Sequence, residues 1–308
     1  MNRIIISGAS GMIGLAIIDA CIGHDVETIY AVVRENSHNR SRLPQHPSIH
    51  VIECNADSYD RLPELIHEKC DVFYHMAWTV TGGNRNVDIL GQETNIAYTL
   101  SAVKAAKALG CRKFVGAGSQ AEYGILDVNK ISPNSPINPV QPYGIAKYAA
   151  GRLGAELAKQ MEIDFIWVRI FSVFGEKDKP TTMISSSIKK MLAGERLSFT
   201  AGDQRWDYLY SRDAGEAFYA VGEHATGNKV YCLGSGNARP LKEMIVAMRD
   251  IVNAEAELGL GDIPYKDNEV MNICADISEI QRDTGWKPKI SFEEGIKMMV
   301  LSLGDNLG

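Results

Sequence analysis

The chain has 308 residues, 45% of them hydrophobic and 23% charged, with a formal net charge of −6. That length allows one large core, or a core plus a smaller lobe, and the composition is ordinary for a globular enzyme. The charge excludes a basic field that would draw nucleic acid or an anionic membrane, and no apolar run approaches the roughly 20 residues of a membrane span. Short β-branched runs then alternate with longer helical patterns, which is how parallel βαβ units read. In chain order the expected elements begin with strand Arg3–Ser7, helix Met12–Ile22 and strands Ile29–Val33, His50–Glu53 and Val72–His75. Helix Gln92–Leu109, strand Lys113–Gly118, helix Ala146–Met161, strand Phe165–Ile170, helix Thr182–Ala193 and strand Lys229–Leu233 follow. In Asn95–Leu109 the small residues Ala97, Ala102, Ala105 and Ala106 allow close approach to a sheet. After about Phe174 the alternation loosens and turn signals multiply. Near the end, Ser291 with Glu294 three residues on predicts a capped last helix.

The six cysteines (Cys21, Cys54, Cys70, Cys111, Cys232, Cys274) are scattered without a Cys-x-x-Cys pair, which argues against a disulfide framework or a metal site. With strand-like sequence from the first residues and no signal peptide, a cytoplasmic location is expected.

Three local signals carry chemistry. Ile4-Ile5-Ile6-Ser7 runs into Gly8-Ala9-Ser10-Gly11-Met12-Ile13-Gly14, a strand, a glycine turn and a helix. Glycine lets the chain turn sharply, lets a pyrophosphate touch backbone and lets the helix pack tightly on the sheet, while the helix N-terminus offers free N–H groups to phosphates. Ser119 ends an apolar stretch upstream of Tyr143, and Tyr143 and Lys147 lie four apart at a helix start, on one face. The second strand ends in Arg34, where an acidic residue would read a ribose 2′-hydroxyl; a guanidinium suits a 2′-phosphate, with Glu35 as the competing reading. NADP is therefore the expected cofactor, with NAD as the alternative.

With these motifs the chain resembles the extended short-chain dehydrogenase/reductase family, in its NAD(P)-dependent nucleotide-sugar epimerase/dehydratase branch, nearly end to end. The resemblance implies an α/β fold: a Rossmann-type doubly wound parallel sheet with a smaller C-terminal α/β substrate lobe. Residues 1–174, with returning segments around 208–235, would form the cofactor domain, and the remainder of 175–308 the substrate lobe. It implies that Ser10, Met12 and Ile13 join the glycines at the cofactor, that Asp57 meets the adenine, and that Ala77 passes under the nicotinamide ribose. His75 in the same segment reads as structural. Tyr143 would be the proton donor, with its pKa pulled down by the Lys147 ammonium and the nicotinamide charge; Lys147 would also hold the ribose, and Ser119 the substrate oxygen.

The family's dehydratases carry Asp and Glu after the catalytic Ser/Thr, where this chain has Gln120 and Ala121, with Glu122 displaced by one. Loss of water is therefore disfavoured, and reduction of a 4-keto-6-deoxy sugar is expected, with a nucleotide-sugar 4-epimerase as the alternative. From another class comes a catalytically silent NAD(P)-sensing protein, which would not need the full Ser119, Tyr143 and Lys147 set. On the substrate side, Trp78, Gln120, Ser172, Arg205, Trp206 and Lys266 are the expected contacts. Ser172 and Trp206 stand where the family has a phosphate-binding asparagine and arginine, and Lys266 falls near a third such position. Trp206 could stack on a base or simply pack. Asp213 reads as a helix cap. The expected partners are a nucleotide-sugar substrate and a second copy of the chain, through the helices Gln92–Leu109 and Ala146–Met161.

Overall fold

Strand β1 (Arg3–Ser7) carries three isoleucines: Ile4 and Ile6 fall in one buried cluster and Ile5 in another, so both faces of its sheet are covered. The computed structural model describes residues 1–267 and 269–304. After β1 come α1 (Met12–Gly23), β2 (Thr28–Val33), β3 (Ile49–Glu53), the short α2 (Leu62–Leu65), β4 (Val72–His75) and α3 (Ile89–Ala108). Next are β5 (Lys113–Ser119), α4 (Pro142–Gln160), β6 (Asp164–Ile170), β7 (Ser172–Phe174), α5 (Met183–Leu192) and β8 (Leu197–Phe199). The chain continues with β9 (Arg205–Trp206), β10 (Tyr208–Tyr210), α6 (Ser211–His224), β11 (Lys229–Leu233), β12 (Arg239–Pro240) and α7 (Leu241–Val252). It closes with β13 (Leu258–Leu260), β14 (Asn272–Ile273), α8 (Ser278–Thr284) and α9 (Phe292–Gly304).

Seven strands form one parallel sheet in the order β11-β6-β5-β4-β1-β2-β3. The chain runs outward from β1 to β3, then returns across β1 to β4. The order thus reverses between β1 and β4, and the crevice at that switch point opens at the C-terminal ends of the strands. Helices α1 and α6 cover one face, through Ile17, Ile18, Ala214 and Phe218; α3 and α4 cover the other, through Ala102, Ala105, Ala106 and Ala150. Ala97, on the same small-residue stretch, is exposed instead.

All seven strands of the sheet agree with the expected ones to within a residue at each end. The two helices that matter for the site start earlier than periodicity suggests. Helix α4 begins at Pro142, whose fixed φ and missing N–H suit a first turn, so Tyr143 and Lys147 both lie in its opening turns. Helix α3 begins at Ile89 because Asp88 caps it, accepting the Gly91 N–H at 2.8 Å. At the other end of the chain Ser291 and Glu294 form the expected reciprocal cap of α9, with Ser291 N–H to Glu294 at 2.8 Å and Glu294 N–H to Ser291 at 3.2 Å.

A third buried cluster joins Phe174, Ile184, Ile188, Met191, Tyr210, Met244, Met248, Phe292, Ile296 and Met299, packing α5, α7 and α9 together beyond the main sheet. Asp213 departs from the expected cap. It lies inside the first turn of α6, and its buried carboxylate instead accepts the N–H groups of Lys289 and Ile290, both at 2.8 Å, anchoring the approach to α9. The six cysteines are buried and unpaired. Among the described residues no helix is long and apolar enough to cross a membrane, and no three His, Cys, Asp or Glu side chains gather as a metal site would need.

Candidate active site

The turn after β1 is shaped by backbone contact. Gly8 has φ +72°, and a Cβ there would stand 2.6 Å from the Ala77 backbone nitrogen after β4. At Gly14 a Cβ would come within 2.8 Å of Ala9 Cα, so only glycine lets α1 close onto the turn. Gly11 is the N-cap of α1, and no side chain caps the helix, which leaves its first N–H groups directed at the crevice. The cleft above it has a volume of about 480 Å³, and Gly8, Ser10, Gly11, Met12, Ile13, Gly14, Arg34, Ala77 and Trp78 all line it. Of the expected cofactor contacts on this side, Asp57 lies off the lining: it is exposed in a 3-10 turn and accepts from Ser58 Oγ at 2.8 Å, while its neighbours Cys54, Ala56 and Tyr59 face the cleft.

At the far end of the cleft Arg34 is exposed and makes no ion pair among the described residues. Glu35, the competing group, is tied to Asn55 by a reciprocal pair of hydrogen bonds, each 3.2 Å. Arg40 pairs with Glu53, and Arg42 donates to the Lys177 carbonyl. Lys179 Nζ donates to Thr81 Oγ1 at 2.8 Å. The segment carrying Lys177, Asp178 and Lys179 thus lines the cleft and is fastened to two different banks of it, at Arg42 and at Thr81.

Ser119 ends β5 and Tyr143 opens α4, and the serine hydroxyl lies near enough to the phenol to influence it. Lys147 is buried one turn further on; its ammonium donates to the Ala117 carbonyl at 2.7 Å and lies 3.6 Å from the centre of the Trp78 ring. Trp78 also meets Tyr143 edge to face, with centroids 6.1 Å apart. Burial pushes the Tyr143 phenol above its ordinary value; the Ser119 hydroxyl and the Arg85 guanidinium work against that rise, and Glu122 adds to it. This corrects the expectation that Lys147 pulls the phenol down. The Lys147 ammonium faces indole and carbonyl, and burial lowers its own pKa to about 7 despite the opposing charge of Glu122. At neutral pH the phenol is therefore held as an acid.

His75 is structural, as read from the sequence. Its two ring nitrogens meet Ser7 Oγ at 2.8 Å and Thr99 Oγ1 at 3.3 Å, and burial takes its pKa down to about 3, with the Lys147 charge as the second cause. Glu122 is fully buried and held by Trp167 and Arg169, which leaves no free carboxylate beside Gln120 and Ala121.

The substrate-side residues are less convergent. Trp206 Nε1 donates to Ser172 Oγ at 2.7 Å, so the two departures from the phosphate-binding pattern satisfy one another. Arg205 is exposed and turns its guanidinium to the Ala238 carbonyl at 2.5 Å, and Lys266 is exposed on a loop. Gln120 is half-buried directly after Ser119.

Two contributors escaped the sequence reading. Arg85 lies 5.3 Å over the Tyr143 ring from a short 3-10 turn (Gly82–Asn86), where no periodicity points to it. Gln92 is buried in α3; it accepts from Trp78 Nε1 at 2.9 Å and donates to the Val80 and Arg85 carbonyls at 3.0 and 2.9 Å. Here a signal existed: Gln92, Asn95 and Thr99 repeat at helical spacing, and each fastens part of the segment from His75 to Arg85.

Comparison with known proteins identifies the family. Residues 4–234 match the family model described as the NAD dependent epimerase/dehydratase family. A putative UDP-glucose 4-epimerase of Methanocaldococcus jannaschii is 27% identical over 311 residues, spanning 98% of this chain and 99% of its own. A dTDP-4-dehydro-6-deoxyglucose reductase of Escherichia coli is 24% identical over 314 residues, spanning 98% of each. Among solved structures, the UDP-glucose 4-epimerase of Thermotoga maritima with UDP-glucose superposes with a TM-score of 0.89 at 22% identity, covering 99% of this chain and all of that one. The chain belongs to the NAD(P)-dependent nucleotide-sugar epimerase/dehydratase family, a family of enzymes.

Proposed function

We propose that the protein is an NADP-dependent reductase of a nucleotide-linked 4-keto-6-deoxy sugar. The observation that carries this reading is the convergence of Ser119 at the end of β5 with Tyr143 and the buried Lys147 in the opening turns of α4, both packed on Trp78. When bound, the nicotinamide supplies the hydride that reduces the sugar carbonyl. Tyr143 donates the proton to the carbonyl oxygen as charge builds on it, and Ser119 holds that oxygen in line. Lys147 holds the cofactor's ribose hydroxyls once its ammonium leaves the Trp78 face. Because Glu122 is fully engaged and position 121 is alanine, the site has no acid and base pair for removing water, which supports reduction over dehydration.

Arg34 reads the 2′-phosphate in this proposal, supported by its lack of an ion pair and by the tie between Glu35 and Asn55. The substrate would be held by Gln120, Ser172 and Trp206, with the third cluster of 175–308 as its lobe and Arg205 and Lys266 recruited as the site closes. A homodimer through α3 and α4 belongs to the same reading, supported by the exposed Ile145 and Leu153 on α4.

One observation favours the second reading, an NAD-dependent 4-epimerase. The segment fastened at Arg42 and Thr81 would retain a cofactor, as an enzyme that returns hydride to the same sugar requires. The test is to identify the cofactor in the purified protein and then offer NADPH with a nucleotide-linked 4-keto-6-deoxy sugar. Exchangeable cofactor and stoichiometric oxidation of NADPH are expected. Stoichiometric bound NAD without net oxidation would replace the reductase by the epimerase.

A further inference from the structure

The buried ion pair behind the catalytic strand has no counterpart in the roles given so far. Glu122 is fully buried in the turn that follows β5. One carboxylate oxygen accepts the Ser119 backbone N–H at 2.8 Å and Trp167 Nε1 at 2.9 Å; the other accepts Arg169 Nε at 2.7 Å. Ser119 answers by accepting the Ala121 N–H at 3.2 Å, which closes a reciprocal cap around the serine itself. Arg169 is locked in turn, donating to the Tyr123 hydroxyl at 2.9 Å and the Pro133 carbonyl at 3.2 Å. The strand is hollowed to admit the group: a Cβ on Gly118 would stand 2.7 Å from the Glu122 carboxylate.

We propose that Glu122 is a positioning residue for the reaction: its carboxylate fixes the turn that presents Ser119 and sets a negative charge behind Lys147. This rests on the assignment of Ser119, Tyr143 and Lys147 made above. Among the described residues the groups that face Lys147 are Glu122 from the β5 turn, Tyr143 on its own helix, His75 on β4, and the Trp78 and Trp167 rings. His75 is neutral, and Arg85 acts on Tyr143. Glu122 is thus the charge that supports the ammonium against burial, and the same charge keeps Tyr143 protonated. Both effects act in one direction, extending activity toward higher pH.

The test is a pH titration of the Lys147 side-chain nitrogen by NMR, assigned with Lys147→Met, on the full chain. The variants are Glu122→Gln, Glu122→Asp and the double variant Glu122→Gln/Arg169→Gln, which avoids stranding the guanidinium without its partner. The midpoint near 7 in the wild type is expected to fall by about 1 pH unit in Glu122→Gln and in the double variant, and to hold in Glu122→Asp. The alkaline limb of turnover moves with it. Unchanged midpoints in folded variants would overturn the proposal, leaving Glu122 a brace between β5 and β6. Because the titration needs no substrate, failure of the wild type to reduce any keto sugar would count against the reductase reading alone.

Discussion

The cofactor side and the substrate side of this crevice are built in different ways. On the cofactor side the residues beside the crevice sit at or just after the ends of strands of the main sheet or at the start of a long helix, where the sheet leaves little freedom: Ser7, His75 and Ser119 end β1, β4 and β5, and Tyr143 and Lys147 open α4. On the substrate side Ser172, Arg205 and Trp206 lie on strands of two or three residues, and their polar atoms are turned to one another or to local carbonyls. The first region is preorganised for a ligand, and the second satisfies itself until a ligand arrives.

The sharpest way to break that contrast is Tyr143→Phe. Turnover should fall about 1000-fold with NADPH affinity held within about twofold, measured by steady-state kinetics and fluorescence titration. An equal loss of cofactor binding would show that the two sides are not separable. The buried His75 makes the cofactor side acid-sensitive. Its pKa is about 3 in the fold against 6.5 unfolded, so the unfolded chain binds the extra proton between those values. Stability is then complete above pH 6.5 and declines as pH falls toward 3, by about 2–3 kcal/mol at pH 4.5. Urea midpoints that stay level between pH 6.5 and 4.5 would contradict this. Arg34→Ala should weaken NADPH about tenfold and leave NADH unchanged, as loss of one charge-assisted contact implies. Smallest of all, Trp206→Phe should raise KM by about fivefold or less with kcat retained, since it removes one hydrogen bond from the adaptable side.

Legibility in the sequence follows the same division. The inner strands β1, β2 and β4 are near-continuous apolar runs because both faces are buried, and such runs are visible without coordinates. Gly8, Ser119, Tyr143 and Lys147 were readable because backbone geometry ties each to a strand end or helix start. Arg85 was not, since a one-turn 3-10 segment too short to show a pattern brings it to Tyr143. The raised pKa of that phenol is hidden for a related reason: burial causes it, and the burial of Tyr143 comes from tertiary packing that the spacing to Lys147 does not reveal. Likewise, Ser172 and Trp206 each looked like a lost phosphate contact, and only their pairing makes the two changes one event.

The six buried thiols turn the sheet into its own recorder. Cys54 follows β3 at one edge, Cys232 lies in β11 at the opposite edge, and Cys70 and Cys111 precede the central β4 and β5. None can be alkylated while the fold is shut. The order in which a thiol reagent marks them under mild denaturant therefore reads out which border of the molecule unzips first.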